Sequence, residues 1–514
     1  MRVVLSVVGA AMATTTALGQ CAPAVVYTNY NSLPSSIVPG TAPGARFVGG
    51  AAPGIAFQHV AVSPNGAYWA LRGAATTTTG HVVVRGTART REGAQLVARR
   101  TVTQVLGVRT CDTIAEIVDV ANNGSVAFTG DLSGSITDDS FSAVWNNGLT
   151  FFAREGLPVP SLNFGFGTQN ANPTILENGQ IRHVSTALVG SNTQAALVSL
   201  SSATTGSVLA LTGVTVPSGQ LVAPAQTLFT LGVARPAVSS DGVDMLTGSV
   251  LSGPGSSDAV LLYNNQVLAQ EGAVIAGSGV SAAFAQLSSG NTPLSCSPTG
   301  GHCMARVTFV NATDAVMRIE AGAVMGMYAK RGDEITPGAG ERYSQTETTE
   351  TFLASAVASN GDYVIVGYTD AAEQLRDTVL VFNGSTVLLR EGAEFDLNED
   401  GVLNDNAFVG AFSRDGLALS DTGDVYVVVS VRGAAANVTG TALLTLRTPA
   451  CNDLDFNNNG VFPEDADVVD FFDVLAGGVC EACDTIDFNN DCVFPSDLDV
   501  IAFFNVLAGG SCTP

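Results

Sequence analysis

The stretch DTVLVFNGSTVLLREG, Asp377 to Gly392, carries one apolar run led by an aspartate and a second that ends in the turn Arg390-Glu391-Gly392. The same ending recurs at Arg91-Glu92-Gly93, Arg154-Glu155-Gly156, Leu211-Thr212-Gly213, Gln270-Glu271-Gly272 and Lys330-Arg331-Gly332. Successive glycines are therefore 63, 57, 59, 60 and 60 residues apart. Aspartate-led apolar runs recur at Asp258–Tyr263 and Asp314–Met317. A further marker falls between alternating apolar runs: Asn65-Gly66, Asn123-Gly124, Asn178-Gly179, Asp241-Gly242, Asn360-Gly361 and Thr422-Gly423. Such dipeptides supply the positive φ of tight hairpin turns. The unit around residue 300 is disguised by an insertion between Cys296 and Cys303.

Each unit of roughly sixty residues thus holds about four short strands joined by tight turns. A fixed period of this kind is the signature of a repeat architecture. Seven units, each one antiparallel sheet, predict an all-β, about seven-bladed β-propeller over residues 20–448. A stacked β-solenoid or sandwich array is the alternative, but sixty residues is long for a solenoid coil. The last unit starts near Ala411 and ends at Thr441–Leu446 without a glycine-turn strand; an N-terminal strand near Ala24 to Tyr30 would complete it and close the ring.

Composition agrees with an all-β body. Of 514 residues 56 are glycine, only 13% are charged, and Lys330 is the one lysine. A net charge of −24 excludes nucleic acid as a partner, because nothing would neutralise phosphate. Residues 1–19 read as a secretory signal: Arg2, then the apolar run Val3 to Ala13, then Ala17-Leu18-Gly19 as a cleavage site. No later run is long enough to span a membrane, so the expected location is extracellular or at the cell surface. Export places the nine cysteines in an oxidising setting. Expected bridges are Cys296–Cys303, Cys21–Cys111 and one per tail repeat, Cys451–Cys480 and Cys483–Cys512, which leaves Cys492 odd; sequence alone does not fix this connectivity.

The tail, residues 449–514, is one unit written twice at an offset of 32 residues. Asp455, Asn457 and Asn459 alternate before Gly460, and Asp487, Asn489 and Asp491 alternate before Cys492. Oxygen side chains at loop positions 1, 3 and 5, a turn at 6 and a backbone carbonyl at 7 (Val461, Val493) are what a calcium loop needs. Either Asp467 and Asp499 or Asp465 and Asp497 close the loops, the other pair serving as helix N-caps. Val468, Phe471, Phe472, Leu475 and Val500, Phe503, Phe504, Leu507 each form one apolar helical face, stopped by Gly477-Gly478 and Gly509-Gly510. Residues 451–514 hold eleven Asp, two Glu and no Lys or Arg, so calcium would offset the charge and couple binding to folding.

This doubled loop and helix resembles the type I dockerin module, a small α-helical calcium-binding domain of secreted bacterial proteins. The body resembles secreted bacterial propeller-like repeats found joined to such tails. The resemblance implies docking to a protein partner or a surface component, and it brings no known activity with it.

No catalytic constellation stands out. His59, His81, His183 and His302 are scattered over different units, and no metalloprotease, nucleophile-elbow or phosphate-loop pattern occurs. Glu92, Glu155, Glu271 and Glu391 recur at one blade position, which favours a turn or interblade contact over a catalytic pair. Arg331-Gly332-Asp333 falls in register with those turns. Asp396, Asn398, Asp400 and Gly401, with Asp405 nearby, match the first half of a calcium loop or a plain polar loop. The expected function is that of a secreted non-enzymatic binding or scaffold protein with a calcium-stabilised docking tail. The alternative is an extracellular polysaccharide-active enzyme, a glycoside hydrolase or lyase on a propeller, carrying the same tail. A glycan is the partner that either reading would give the propeller.

Overall fold

The computed structural model describes residues 23–510 except 42–44, 49–55, 76–79, 107–108, 135–136, 191, 222–223, 288–293, 347–349, 435–436, 450, 452–453, 458, 481–482, 484–485 and 490–495. The predicted signal segment lies outside the described residues. The chain forms two compact units, Pro23–Leu446 and a second that takes in Arg447–Pro514.

The first unit is a seven-bladed β-propeller of antiparallel sheets. The innermost strands are Phe57–Val62, Arg109–Val120, Phe164–Ile175, Leu228–Val238, Leu294–Cys296 with Phe284–Gln286, Phe352–Val357 and Phe408–Leu419. Four blades have four strands, and the second, third and fifth carry one short extra piece. Central strands are buried on both faces because each blade stacks between two others. All nine residues of Asp424–Arg432 are buried, and the strand is correspondingly valine-rich. Outer strands such as Thr205–Leu211 are exposed or half-buried at all but one position.

The chain ends close the ring, as the incomplete last repeat predicts. Strand Ala24–Thr28 pairs with Val438–Arg447 and becomes the outermost strand of the seventh blade.

The glycine turns join neighbouring blades. The N–H groups of Gly156, Gly213, Gly272, Gly332 and Gly392 donate to the carbonyls of Phe166, Leu228, Phe284, Tyr343 and Val409 of the following blade, at 2.7 to 3.0 Å. Each of these glycines has φ between +73° and +86°, which any Cβ would strain. Gly93 is not their equivalent. It lies inside strand Thr90–Arg99, and the corresponding contact is made by Thr101, at φ +57°, to the Cys111 carbonyl at 2.6 Å. Glu92 is therefore out of register with Glu155, Glu271 and Glu391.

The Asn-Gly turns form a second, closed circuit. The backbone N–H of Asn65 donates to Asn122 Oδ1 (2.8 Å), Asn122 to Glu177 Oε1 (3.1 Å), Glu177 to the Ser240 carbonyl (2.9 Å) and Asp241 to the Pro298 carbonyl (3.2 Å). Thr299 donates to Ser359 Oγ (3.0 Å), Ser359 to Asp421 Oδ1 (2.7 Å) and Asp421 to the Pro64 carbonyl (2.8 Å). Every blade gives one bond to the next in chain order, and the seventh returns to the first. The disguised unit takes part through Pro298 and Thr299, beside the disulfide Cys296–Cys303.

In the second unit, helices Asp465–Leu475 and Asp497–Leu507 pack through Phe456, Phe471, Phe488, Ala502 and Phe503, with Phe471 and Phe503 stacked at 4.2 Å. Their N-caps are Glu464 and Ser496, one residue earlier than the aspartates expected. The disulfides also differ from expectation. Cys480 is bonded to Cys483, not Cys451, because the short link between repeats brings their Cα atoms within 5.3 Å. Cys451 is disulfide-bonded too, to neither of these. Cys111 is buried and free, so the expected pair with Cys21 does not form. Cys21, Cys492 and Cys512 lie outside the described residues. Among the described residues no helix is long and apolar enough to cross a membrane.

Closure by the N-terminal strand predicts the effect of Val26→Asp. Val26 is fully buried, so an unpaired carboxylate there should cost about 3 kcal/mol or more. Denaturant unfolding should show this loss; an unchanged midpoint would mean that the strand is dispensable.

Candidate functional site

The inner strands surround a cavity of about 230 Å³ on the propeller axis. Their ladders are interrupted, whereas the ladders between second and third strands are continuous in the first six blades. Bulges re-aim side chains and are common next to functional sites. Arg235 falls in the irregularity between Ala234 and Ala237, and Asp415 in that between Phe412 and Leu417.

These bulges give the cavity charged walls. Arg235, from the fourth blade, reaches His59 of the first, with Nη1 to Nε2 at 2.8 Å. Arginine is always the donor, so His59 Nε2 accepts here, and Nδ1 lies 3.5 Å from the Val118 backbone N. Burial, with Arg235 beside it, holds His59 well below the ordinary imidazole pKa, so the ring is neutral. Asp119 of the second blade accepts the N–H groups of Val120 and Ile175, both at 2.9 Å. Burial nevertheless raises its pKa from the ordinary value to about 6, against the pull of those bonds and of Arg235. Burial lowers the pKa of Arg235 in turn, and Asp415 and Asp119 offset this. Arg235 therefore spans the axis and faces acidic groups of the seventh and second blades. Arg414 also lines the cavity, but it is ion-paired with Glu350, which pairs in turn with buried Arg306 at 2.8 Å.

Toward the turn circuit the wall is apolar. Val62, Val120, Ile175, Val238, Val357 and Leu419, the last residues of six inner strands, form a collar there, and Cys296 ends the inner strand of the fifth blade. Pro64, Ser240 and Pro298 of the turns complete this end.

Sequence reasoning missed this site. It treated His59 as an ordinary strand residue and did not single out Asp119, Arg235, Arg414 or Asp415. One signal was present: Arg235-Pro236 interrupts an apolar strand, and proline within a sheet marks an edge or a bulge. His183 is buried against Phe166 in its own blade, away from the axis.

The predicted tail residues are arranged alike in both repeats where they are described. Asp455 Oδ1 and Oδ2 accept from the N–H groups of Asn459 (2.9 Å) and Gly460 (2.8 Å), and Asn459 Oδ1 accepts from Val461 N–H (2.7 Å). Asp467 is buried with Oδ1 3.5 Å from Asn457 N, and Asp499 is buried with Oδ1 3.5 Å from Asn489 N. Asp465 and Asp497 are exposed. Of the two alternatives, then, Asp467 and Asp499 are the acids placed against the loops. Asp487 and Asn489 are buried, and Asp491 and Val493 lie outside the described residues. Among the described residues no three His, Cys, Asp or Glu side chains converge as a metal centre. In the propeller, Asp396 and Asp405 accept backbone N–H groups of their own loop, and Glu399 pairs with Arg91 at 2.6 Å.

No protein-family description and no curated protein matches the chain. Solved structures that resemble it include polysaccharide lyase Uly1, 11% identical over 84% of this chain and 98% of that one, TM-score 0.37. Kuenenia stuttgartiensis hydrazine synthase is 12% identical over 78% of this chain and 100% of that one, TM-score 0.35. The α-L-arabinofuranosidase Arb93A from Fusarium graminearum is 8% identical over 83% and 98%, TM-score 0.29. Likeness at this level concerns the fold alone. The class defined by fold and site is a seven-bladed β-propeller with a charged axial cavity and a small paired-helix unit.

The raised pKa of Asp119 predicts a pH effect of definite sign. The folded state holds this proton more tightly than the unfolded state, so the contribution is most favourable below pH 4 and is lost as pH rises through about 6. Subtracting the stability of Asp119→Asn from that of the wild type should reveal a fall on the order of 2 kcal/mol across this window. A flat difference would show that Asp119 titrates normally.

Proposed function

We propose that the protein is a secreted, non-enzymatic binding or scaffold protein. In this reading the propeller holds a ligand at its axis, and a calcium-stabilised tail docks the molecule to a protein or cell-surface component. The observation that carries the tail reading is the burial of Asp455, Asp467, Asp487 and Asp499 in a segment without a single Lys or Arg. Buried carboxylates need a compensating charge. A hard divalent cation provides it and accepts the oxygen-only donor set that Asp455, Asn457, Asn459 and Asp467 offer. The repeated approach of Asp467 and Asp499 to their loops supports the same assignment. Exposed Val461, Phe462, Val469, Leu498 and Ile501 give the tail apolar surface for docking.

Calorimetric titration of the full chain, stripped with chelator, should find two calcium ions per molecule. Asp467→Asn and Asp499→Asn should each weaken one site by about tenfold or more. Absence of calcium uptake would overturn the tail assignment. Turnover of a polysaccharide by the full chain would replace the binding reading with an enzymatic one.

A further inference from the structure

The chemistry of the axial cavity narrows what it can hold. Arg235 donates one N–H to His59 and lines the cavity, and a guanidinium has five N–H donors in all. Each Asp119 oxygen accepts one backbone N–H, and a carboxylate has about four acceptor sites in all. Positive and negative recognition groups therefore face one small space from different blades.

Three ligand classes fit poorly. A simple anion would satisfy Arg235 but would also meet Asp119 and Asp415, whose charges act on the same guanidinium, and the whole chain carries −24. A simple amine would satisfy the acids and leave the Arg235 fork unmatched in a half-buried wall. A sugar would find no Phe, Tyr or Trp ring among the described lining residues. The cavity, at about 230 Å³, is also below the ~300–1,000 Å³ of typical ligand pockets, too small for a polymer segment. A zwitterion satisfies both charges at once, and Val62 and Val238, the two half-buried members of the collar, offer apolar surface to an aliphatic group beside them.

We propose that the axial cavity binds a small aliphatic zwitterion, of the size and kind of a branched-chain α-amino acid. Its carboxylate lies on Arg235, its ammonium on Asp119 within the field of Asp415, and its side chain in the collar. This assignment rests on the reading of the propeller as a binding body and names the ligand of that site.

Thermal unfolding of the full chain tests it with leucine, 4-methylpentanoate (leucine without its ammonium), isopentylamine (leucine without its carboxylate) and glucose. Leucine at about 10 mM should raise Tm by about 2 °C or more, and the single-charge analogues should not. Asp119→Asn, nearly isosteric, should abolish the shift while circular dichroism remains that of the wild type; Arg235→Gln should do the same if it folds. No shift with leucine, valine or isoleucine would overturn the proposal, as would an equal shift with 4-methylpentanoate or a shift that persists in folded Asp119→Asn. A shift with glucose alone would overturn the ligand class and leave the propeller a binding body. Calcium uptake by the tail is independent of all these outcomes.

Discussion

Seven hydrogen bonds donated by backbone N–H groups, three to carbonyls and four to side-chain oxygens, run from each inner hairpin turn to the next and tie the propeller into a circle. Each is an ordinary bond, worth about 0.5–1.5 kcal/mol net. Their consequence comes from the closure. The last bond, from Asp421 to Pro64, joins parts of the chain more than 350 residues apart and forms only when all seven blades are in place. The glycine turns brace the same interfaces, and the N-terminal strand fixes the seventh blade to the start of the chain. A blade cannot move alone without breaking contacts on both sides.

The circle also explains where chemistry is possible. It holds seven inner strands around one axis, and register shifts interrupt an inner-strand ladder in every blade, as they do the outermost ladders. Bulges turn Arg235 and Asp415 inward, while the regular second and third strands carry the apolar packing between blades. His59, Asp119, Arg235 and Asp415 come from four blades and meet only because the ring is closed. Burial then shifts the behaviour of these groups, keeping His59 neutral and Asp119 reluctant to ionise. The apolar collar follows from the same geometry: each inner strand ends on a valine, isoleucine or leucine in all blades but the fifth.

Much of the fold was legible because its markers are backbone requirements. A positive φ at the interblade turns favours glycine, which five of them carry, so the period can be counted, and Asn-Gly or Asp-Gly marks most of the hairpins that form the circuit. The incomplete final repeat announced its N-terminal partner for the same reason. Errors arose where like spelling hid unlike position. Arg91-Glu92-Gly93 matches the other turns in letters but lies within a strand, and Thr101 takes the role instead. Symmetry of the tail cysteines suggested one bridge per repeat, whereas proximity selected Cys480–Cys483. Of the tail acids, Asp467 and Asp499 are buried and Asp465 and Asp497 are exposed, a difference that the sequence spacing left open. The axial site was not legible. Its members are far apart in sequence, and none belongs to a local motif; only the Arg-Pro pair hinted at a bulge.

Hydrogen exchange followed by mass spectrometry reads the circle directly. The turn amides of Asn65, Asn122, Glu177, Asp241, Thr299, Ser359 and Asp421 all lie in surface hairpins. Closure of the ring predicts that the seven turns are protected to a similar degree and lose protection together as denaturant is raised. Independent exchange of each turn at the rate of an open loop would contradict it.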